Sequence, residues 1–376
     1  MNVAASQPDT LRPALERLQR GALVAGAAGL IDAGAGAAGD ADQFFRSYLI
    51  GYLLWAGVAL GSLGLVMLHH LTGGGWGRAI RSLLESGTRT LPLVALLAVP
   101  LLLGLPKLYI WARPEAMAAD ELLRHKAAYL NVPFFIARLA GYFAIWLGLT
   151  FVMNRRGDDA PRKTASGPGL VLFVLTVTFA AIDLAMSLEP AWFSTIYGAI
   201  LMVGHVLSTL AFVTWMILTL LRHKPYAGAV NAQHFHDLGN LMLAFVMLWA
   251  YMSFSQYLII WAGNLPEEIP WFIARLNGGW EYVAGALLVF HFFVPFFLLL
   301  MRFNKRKAEI LGRIASFMLL MRLVDLVWMV EPAFHPGRLH LHWMDLALPV
   351  GLGGIWMAVF VWQLKRRKVV VEGVEA

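Results

Sequence analysis

The chain has 376 residues, 59% of them hydrophobic and 14% charged, with a mean hydropathy of +0.65 and a net charge of +7. Soluble domains are about half apolar and about a quarter charged, so a water-soluble globule is excluded. With no cysteine in the chain, thiolate-bound iron–sulfur clusters, CxxCH haem attachment and disulfides are excluded as well.

A hydrocarbon core takes about 20 apolar residues per helix, and about ten such runs follow one another. Met1 to Arg20 is polar with three arginines, and a Gly/Ala-rich run from Gly21 to Gly39 comes next. A basic start, an apolar middle and small residues also mark a cleavable signal. Asp32 interrupts this run, however, and its many glycines suit a helix packed closely on a neighbour, so a retained first helix is expected. Nine further spans are predicted over 45–71, 91–111, 139–154, 170–188, 194–221, 237–262, 280–301, 310–330 and 344–364. Connections are short. The longest, 112–131, places Asp120 four residues before Arg124 and Glu121 four before His125, the spacing of a short surface helix. The reading is an all-α polytopic membrane protein.

The basic residues orient it. With the N-terminus in the cytoplasm, twenty of the thirty Lys and Arg fall in cytoplasmic segments and eight in outer ones, Arg138 and Arg275 among the eight. Arg313 and Arg322 lie inside the ninth span. That asymmetry follows the positive-inside rule and puts both termini in the cytoplasm. The positive charge therefore reads as topology, with no nucleic-acid partner.

The chain is built twice. Val132-Pro133-Phe134-Phe135-Ile136-Ala137-Arg138-Leu139 returns as Ile269-Pro270-Trp271-Phe272-Ile273-Ala274-Arg275-Leu276, linking the fourth and eighth spans. Leu108 to Ala112 resembles Leu258 to Ala262 in the third and seventh, and Gly51 and Gly57 match Gly198 and Gly204 in the second and sixth. The fifth and ninth share Asp183-x5-Glu189-Pro190-Ala191 and Asp325-x5-Glu331-Pro332-Ala333. A shift of four helices preserves orientation, so the expectation is two parallel-repeat four-helix bundles flanked by single helices. The divisions are 1–40 for the first flank, 41–190 and 191–333 for the bundles, and 334–376 for the last helix and basic tail.

Each repeat thus ends a helix with an acid at the interface and a second acid six residues deeper, about 9 Å along the axis. Asp183 and Asp325 therefore sit in the hydrocarbon, where an ionisable side chain marks a functional site. Arg322 precedes Asp325 by three residues on one face, whereas Ala180 holds the equivalent place before Asp183. Asp183 is therefore expected to lack a local counter-ion and to exchange protons. The alternative is a neutral Asp hydrogen-bonded to a neighbouring helix. Glu189 and Glu331 read as interfacial caps. His205 and His291 lie near the middle of the sixth and eighth spans. One imidazole from each is the least a haem requires, but a hydrogen-bonding or proton-relay role suits two isolated histidines better. His335, His340 and His342 cluster on the outer side without metal-site spacing. Ser253 and Gln256 are expected to hydrogen-bond across the bundle.

With these residues in place, the chain resembles the NrfD/PsrC type of integral membrane subunit. The stretches from Phe45 to Gly77, Lys126 to Arg138 and His236 to Glu268 are similar to the smaller, ActF-like subunit of bacterial alternative complex III. The resemblance implies a subunit of a quinol:cytochrome c (or quinol:oxidase) oxidoreductase in the bacterial inner membrane. It implies no cofactor on this chain: haems and iron–sulfur clusters would sit on a multihaem cytochrome c and an iron–sulfur subunit. A sister NrfD-like subunit, lipids and a terminal oxidase would be further partners, with quinol or menaquinol as the reductant of the complex. Asp183, Asp325, Arg322, His205, His291, Glu189 and Glu331 would contribute a proton path. The alternatives are a quinone-binding anchor of a molybdopterin/iron–sulfur oxidoreductase and an autonomous proton-coupled transporter.

Overall fold

The computed structural model describes residues 11–155, 157, 159–221, 223 and 230–366, and among these there is no strand. Ten long helical stretches carry the chain. They are α1 (Leu11–Ala37), α2 (Ala41–Thr72), α3 (Gly75–Thr88), α4 (Val132–Met153), α5 (Asp159–Leu184), α6 (Tyr197–Leu220), α7 (Ala232–Gly263), α8 (Trp280–Leu300), α9 (Ala308–Val330) and α10 (Met344–Lys365). Among the described residues eight stretches are long and apolar enough to span a membrane: α2, α4 to α8, α10, and α3 continued to Leu103; α1 and α9, two of the ten spans expected, are not among them. The start of the basic N-terminal segment, 1–10, lies outside the described residues. So do Arg156, Arg222, Lys224, Arg367 and Lys368, which are part of the cytoplasmic charge count.

The third span begins earlier than 91. α3 starts at Gly75 and continues as the short turns Leu91–Leu97, Val99–Leu103 and Leu105–Leu108, each restarted at a proline that cannot donate to the preceding turn. Within this stretch Glu85 pairs with Arg81 at 3.1 Å and with Arg89 at 3.0 Å. α4 likewise begins at Val132, where the Asn131 side chain accepts from the Phe134 N–H. Its counterpart Pro270–Arg275 is a separate short helix. The chain breaks there at Gly278 and Gly279, whose φ of +67° and +105° disfavour any side chain.

Packing explains the glycines. α1 lies along α10, and a Cβ on Gly29 would come within 2.7 Å of the Ala347 carbonyl, while one on Gly354 would collide with the Gly26 backbone. Small residues let two backbones approach this closely, which substitutes for hydrophobic drive inside lipid. Gln19 ties the pair, donating to the Ala358 carbonyl at 3.1 Å and accepting from Lys365 at 2.6 Å.

The repeated helices α2 and α6 meet at the centre, where Thr209 donates to the Val58 carbonyl at 3.0 Å. Their richest apolar stretches are 94% and 89% enclosed by other helices, whereas those of α7 and α8 are only 22% enclosed. The core of the molecule is therefore the α2–α6 contact, and α7 and α8 turn broad apolar faces outward.

Candidate functional site

Among the described residues, the buried ionisable groups include three carboxylate–arginine pairs that tie elements of the repeats, two imidazoles and one acid cluster. Asp183, at the end of α5 and 2% exposed, is held by a fork from α4. Arg138 Nε donates to Oδ2 and Nη2 to Oδ1, both at 2.9 Å, and the Tyr142 hydroxyl donates to Oδ2 at 2.9 Å. Arg138 and Tyr142 are four residues apart and so share one helix face. The guanidinium also donates to the Tyr129 carbonyl at 2.9 Å and lies 3.8 Å from the Tyr129 ring centroid. The expectation that Asp183 lacks a counter-ion is thus corrected. Its own helix supplies none, but the neighbouring helix supplies two donors in bidentate geometry.

Asp325 is paired as expected, with Arg322 Nη1 donating to Oδ2 and both residues 2% exposed. Room for this guanidinium comes from Gly204, where an added Cβ would run into Arg322 Cζ. Gly57, the matching glycine of the first repeat, makes room for another polar side chain, because a Cβ there would run into His205 Cδ2. Equivalent glycines therefore seat unlike groups, an imidazole in one copy and a guanidinium in the other.

Glu189 is more than a cap. Arg275, fully buried, donates to its carboxylate at 2.6 and 3.2 Å and to the Met329 carbonyl at 2.9 Å, while its guanidinium lies 3.8 Å from the Trp271 ring centroid. The second repeat's arginine thus holds the first repeat's acid and pins the bundles together. Arg138 and Arg275, both counted among the outer charges, are each part of a helix and held in an ion pair.

Glu331 is also no plain cap. It lies just past α9, fully buried, and Gln43 Nε2 donates to its Oε1 at 3.3 Å while Oε2 has no partner among the described residues. Gln43 and Ser47 donate to Asp345 at 3.0 and 2.5 Å, which places the two carboxyls side by side. Burial, with Asp345 adding to it, pushes Glu331 up to about 8 against the opposing pull of Arg46 and Gln43. Here a carboxyl holds its proton at neutral pH. Arg46 itself meets His335 at 2.9 Å.

His205 and His291 are 4% and 1% exposed, and all four ring nitrogens are buried without a hydrogen-bond partner among the described residues. Such groups are rare in native interiors and call for a function or a mobile partner. Arg322 is in electrostatic reach of both imidazoles, and Asp325 of His291. Thus His205, Arg322, Asp325 and His291 form one neighbourhood in the second bundle, separate from the Asp183 fork. Gln256 bonds across the bundle as expected, accepting from Ser194 at 2.9 Å.

No family model matches the chain, and no curated protein matches it. The site therefore rests on its own geometry. Sequence reasoning missed Arg138, Tyr142, Arg275 and Asp345. For the two arginines the signal was present, since Phe-Ile-Ala-Arg recurs in both copies. Tyr142 and Asp345 had no comparable mark.

Proposed function

We propose that this chain is a non-haem membrane subunit of a quinol-oxidising respiratory complex of the alternative complex III type. It serves there as scaffold and as part of a proton path. The observation that supports this reading best is the buried neighbourhood of His205, Arg322, Asp325 and His291, with Arg322 within electrostatic reach of both unpartnered imidazoles and Asp325 within reach of His291. Imidazole accepts a proton on one nitrogen and releases it from the other, so a buried histidine with both nitrogens free is a relay element. The Asp183–Arg138 fork, the Glu189–Arg275 pair and protonated Glu331 supply further stations toward the helix ends.

In this reading the chain lies in a bacterial inner membrane with both termini cytoplasmic. A multihaem cytochrome c, an iron–sulfur subunit and a sister NrfD-like subunit carry the electrons, and quinol such as menaquinol supplies them. Purification of the tagged chain from native membranes tests the reading. Co-migration of a multihaem cytochrome and an iron–sulfur subunit is expected. A chain that runs alone, or that takes up a solute by itself in proteoliposomes, overturns it.

A further inference from the structure

Where α2 ends, the chain turns at Gly73 and Gly74 into α3, and the start of α5 comes up beside them. These three helix ends enclose a cavity of about 260 Å³, walled by His70, Gly73, Arg78, Arg81, Asp159 and Lys163. Two arginines and a lysine thus face one carboxylate. That carboxylate is already committed. Arg81 forks it, Nη2 donating to Oδ1 at 2.7 Å and Nη1 to Oδ2 at 3.0 Å, and Arg162 reaches Oδ1 at 3.1 Å. Arg78 and Lys163 are exposed and enter no ion pair among the described residues. The cavity therefore carries two positive charges that nothing in the fold balances, and a concave wall of one sign draws in a counter-charge.

Its depth says where the counter-charge comes from. α5 has 26 residues, about 39 Å at 1.5 Å per residue, whereas the hydrocarbon core is about 30 Å thick. Counted back from Leu184, the core is crossed by about Ala165, so Asp159 and Lys163 stand at headgroup level. Below Lys163, on the same face of α5, come Gly167, Val171 and Val174. Val171 and Val174 are 61% and 41% exposed, and a Cβ on Gly167 would meet nothing within 4 Å. An uncovered apolar strip thus runs from the mouth of the basic cavity toward the bilayer centre. A soluble anion has no use for such a strip, whereas a molecule with a charged head and an acyl chain uses both parts at once.

We propose that this cavity binds the phosphodiester of an anionic phospholipid, with one acyl chain lying along Val171 and Val174. The Arg78 guanidinium offers a planar fork of donors suited to two phosphate oxygens, and Lys163 adds a point charge. A zwitterionic headgroup is the poorer occupant. Its ammonium needs a carboxylate, and Asp159 is already held by Arg81 and Arg162. The site depends on no partner subunit and on no redox role.

The test titrates the full chain, delipidated in neutral detergent, with phosphatidylglycerol or phosphatidylethanolamine and counts bound lipid by native mass spectrometry. Phosphatidylglycerol is expected to bind at least about tenfold more tightly than phosphatidylethanolamine, a modest difference in binding free energy. One basic residue at a membrane surface is worth about fivefold. Arg78→Gln and Lys163→Gln should therefore each weaken phosphatidylglycerol binding about fivefold, and together at least about tenfold. The single variants keep the test open should the double one fail to fold. Arg306→Gln/Lys307→Gln removes the same charge from another basic segment and should leave the tight site intact. Equal affinity for the two lipids, unchanged affinity in the Arg78 and Lys163 variants, or an equal loss in the Arg306/Lys307 variant overturns the site. Displacement of the lipid by millimolar inorganic phosphate would assign the cavity to a soluble anion and overturn the lipid as its occupant.

Discussion

Asp183→Asn offers the sharpest test of the paired-charge reading. The carboxylate receives three charge-assisted or hydroxyl donors at 2.9 Å, two from Arg138 and one from Tyr142, and is 2% exposed. Removing one member of a buried pair strands the other and costs about 3–5 kcal/mol. Arg138 keeps its bond to the Tyr129 carbonyl and its place on the Tyr129 ring, so the loss belongs at the lower end, about 3 kcal/mol. Removing both charges leaves nothing stranded. The double variant Asp183→Asn/Arg138→Gln should therefore be more stable than either single variant, the sign of a coupled pair. Thermal aggregation in detergent reads this directly: both singles should show a clear drop in Tm, and the double should recover part of it. Additive losses, or a wild-type Tm for Asp183→Asn, would refute the reasoning.

Other parts of the molecule carry three further expectations. Glu331 binds a proton in the fold up to about pH 8 but in the unfolded chain only to about 4.5. The folded state then holds more protons between these values, so stability falls as pH rises through that window. Glu331→Gln should flatten that slope in a pH series of Tm, and an unchanged slope would exonerate the residue. Gly204→Ala should displace the Arg322 guanidinium, which the new Cβ would strike, and cost about 1–3 kcal/mol as overpacking does. Equal yield and Tm would mean that Arg322 is not seated there. For topology, a reporter fused after Lys368 or inserted between Arg155 and Lys163 should be active only in the cytoplasm. Periplasmic activity at either position would invert the orientation.

The helices and their doubling were legible because they are properties of the chain read along itself. Apolar runs of spanning length announce membrane helices whatever they pack against. The spacing Asp-x5-Glu-Pro-Ala marks an acid near a helix end in both copies, although Asp183 is one residue from the end of α5 and Asp325 five from the end of α9. The glycines of α1 pointed to close packing, and α10 provides it. What a buried charge binds is a different kind of fact. The partner of Asp183 is 45 residues away on another helix, and that of Glu189 is 86 residues away in the other repeat. Which arginine reaches which acid depends on how far each helix rotates and tilts, and identical Phe-Ile-Ala-Arg segments end on different acids because Gly278 and Gly279 break one helix where the other runs on. The π-turn at Leu287–Phe293 of α8 is equally silent in sequence, since it shifts one hydrogen bond per residue without changing the apolar pattern. Sequence thus determined that ionisable groups would lie among apolar helices. Tertiary structure decided that Asp183 and Glu189 are paired with arginines of other helices and that two imidazoles are not paired, because such pairing is set by interhelical geometry and no local pattern encodes it.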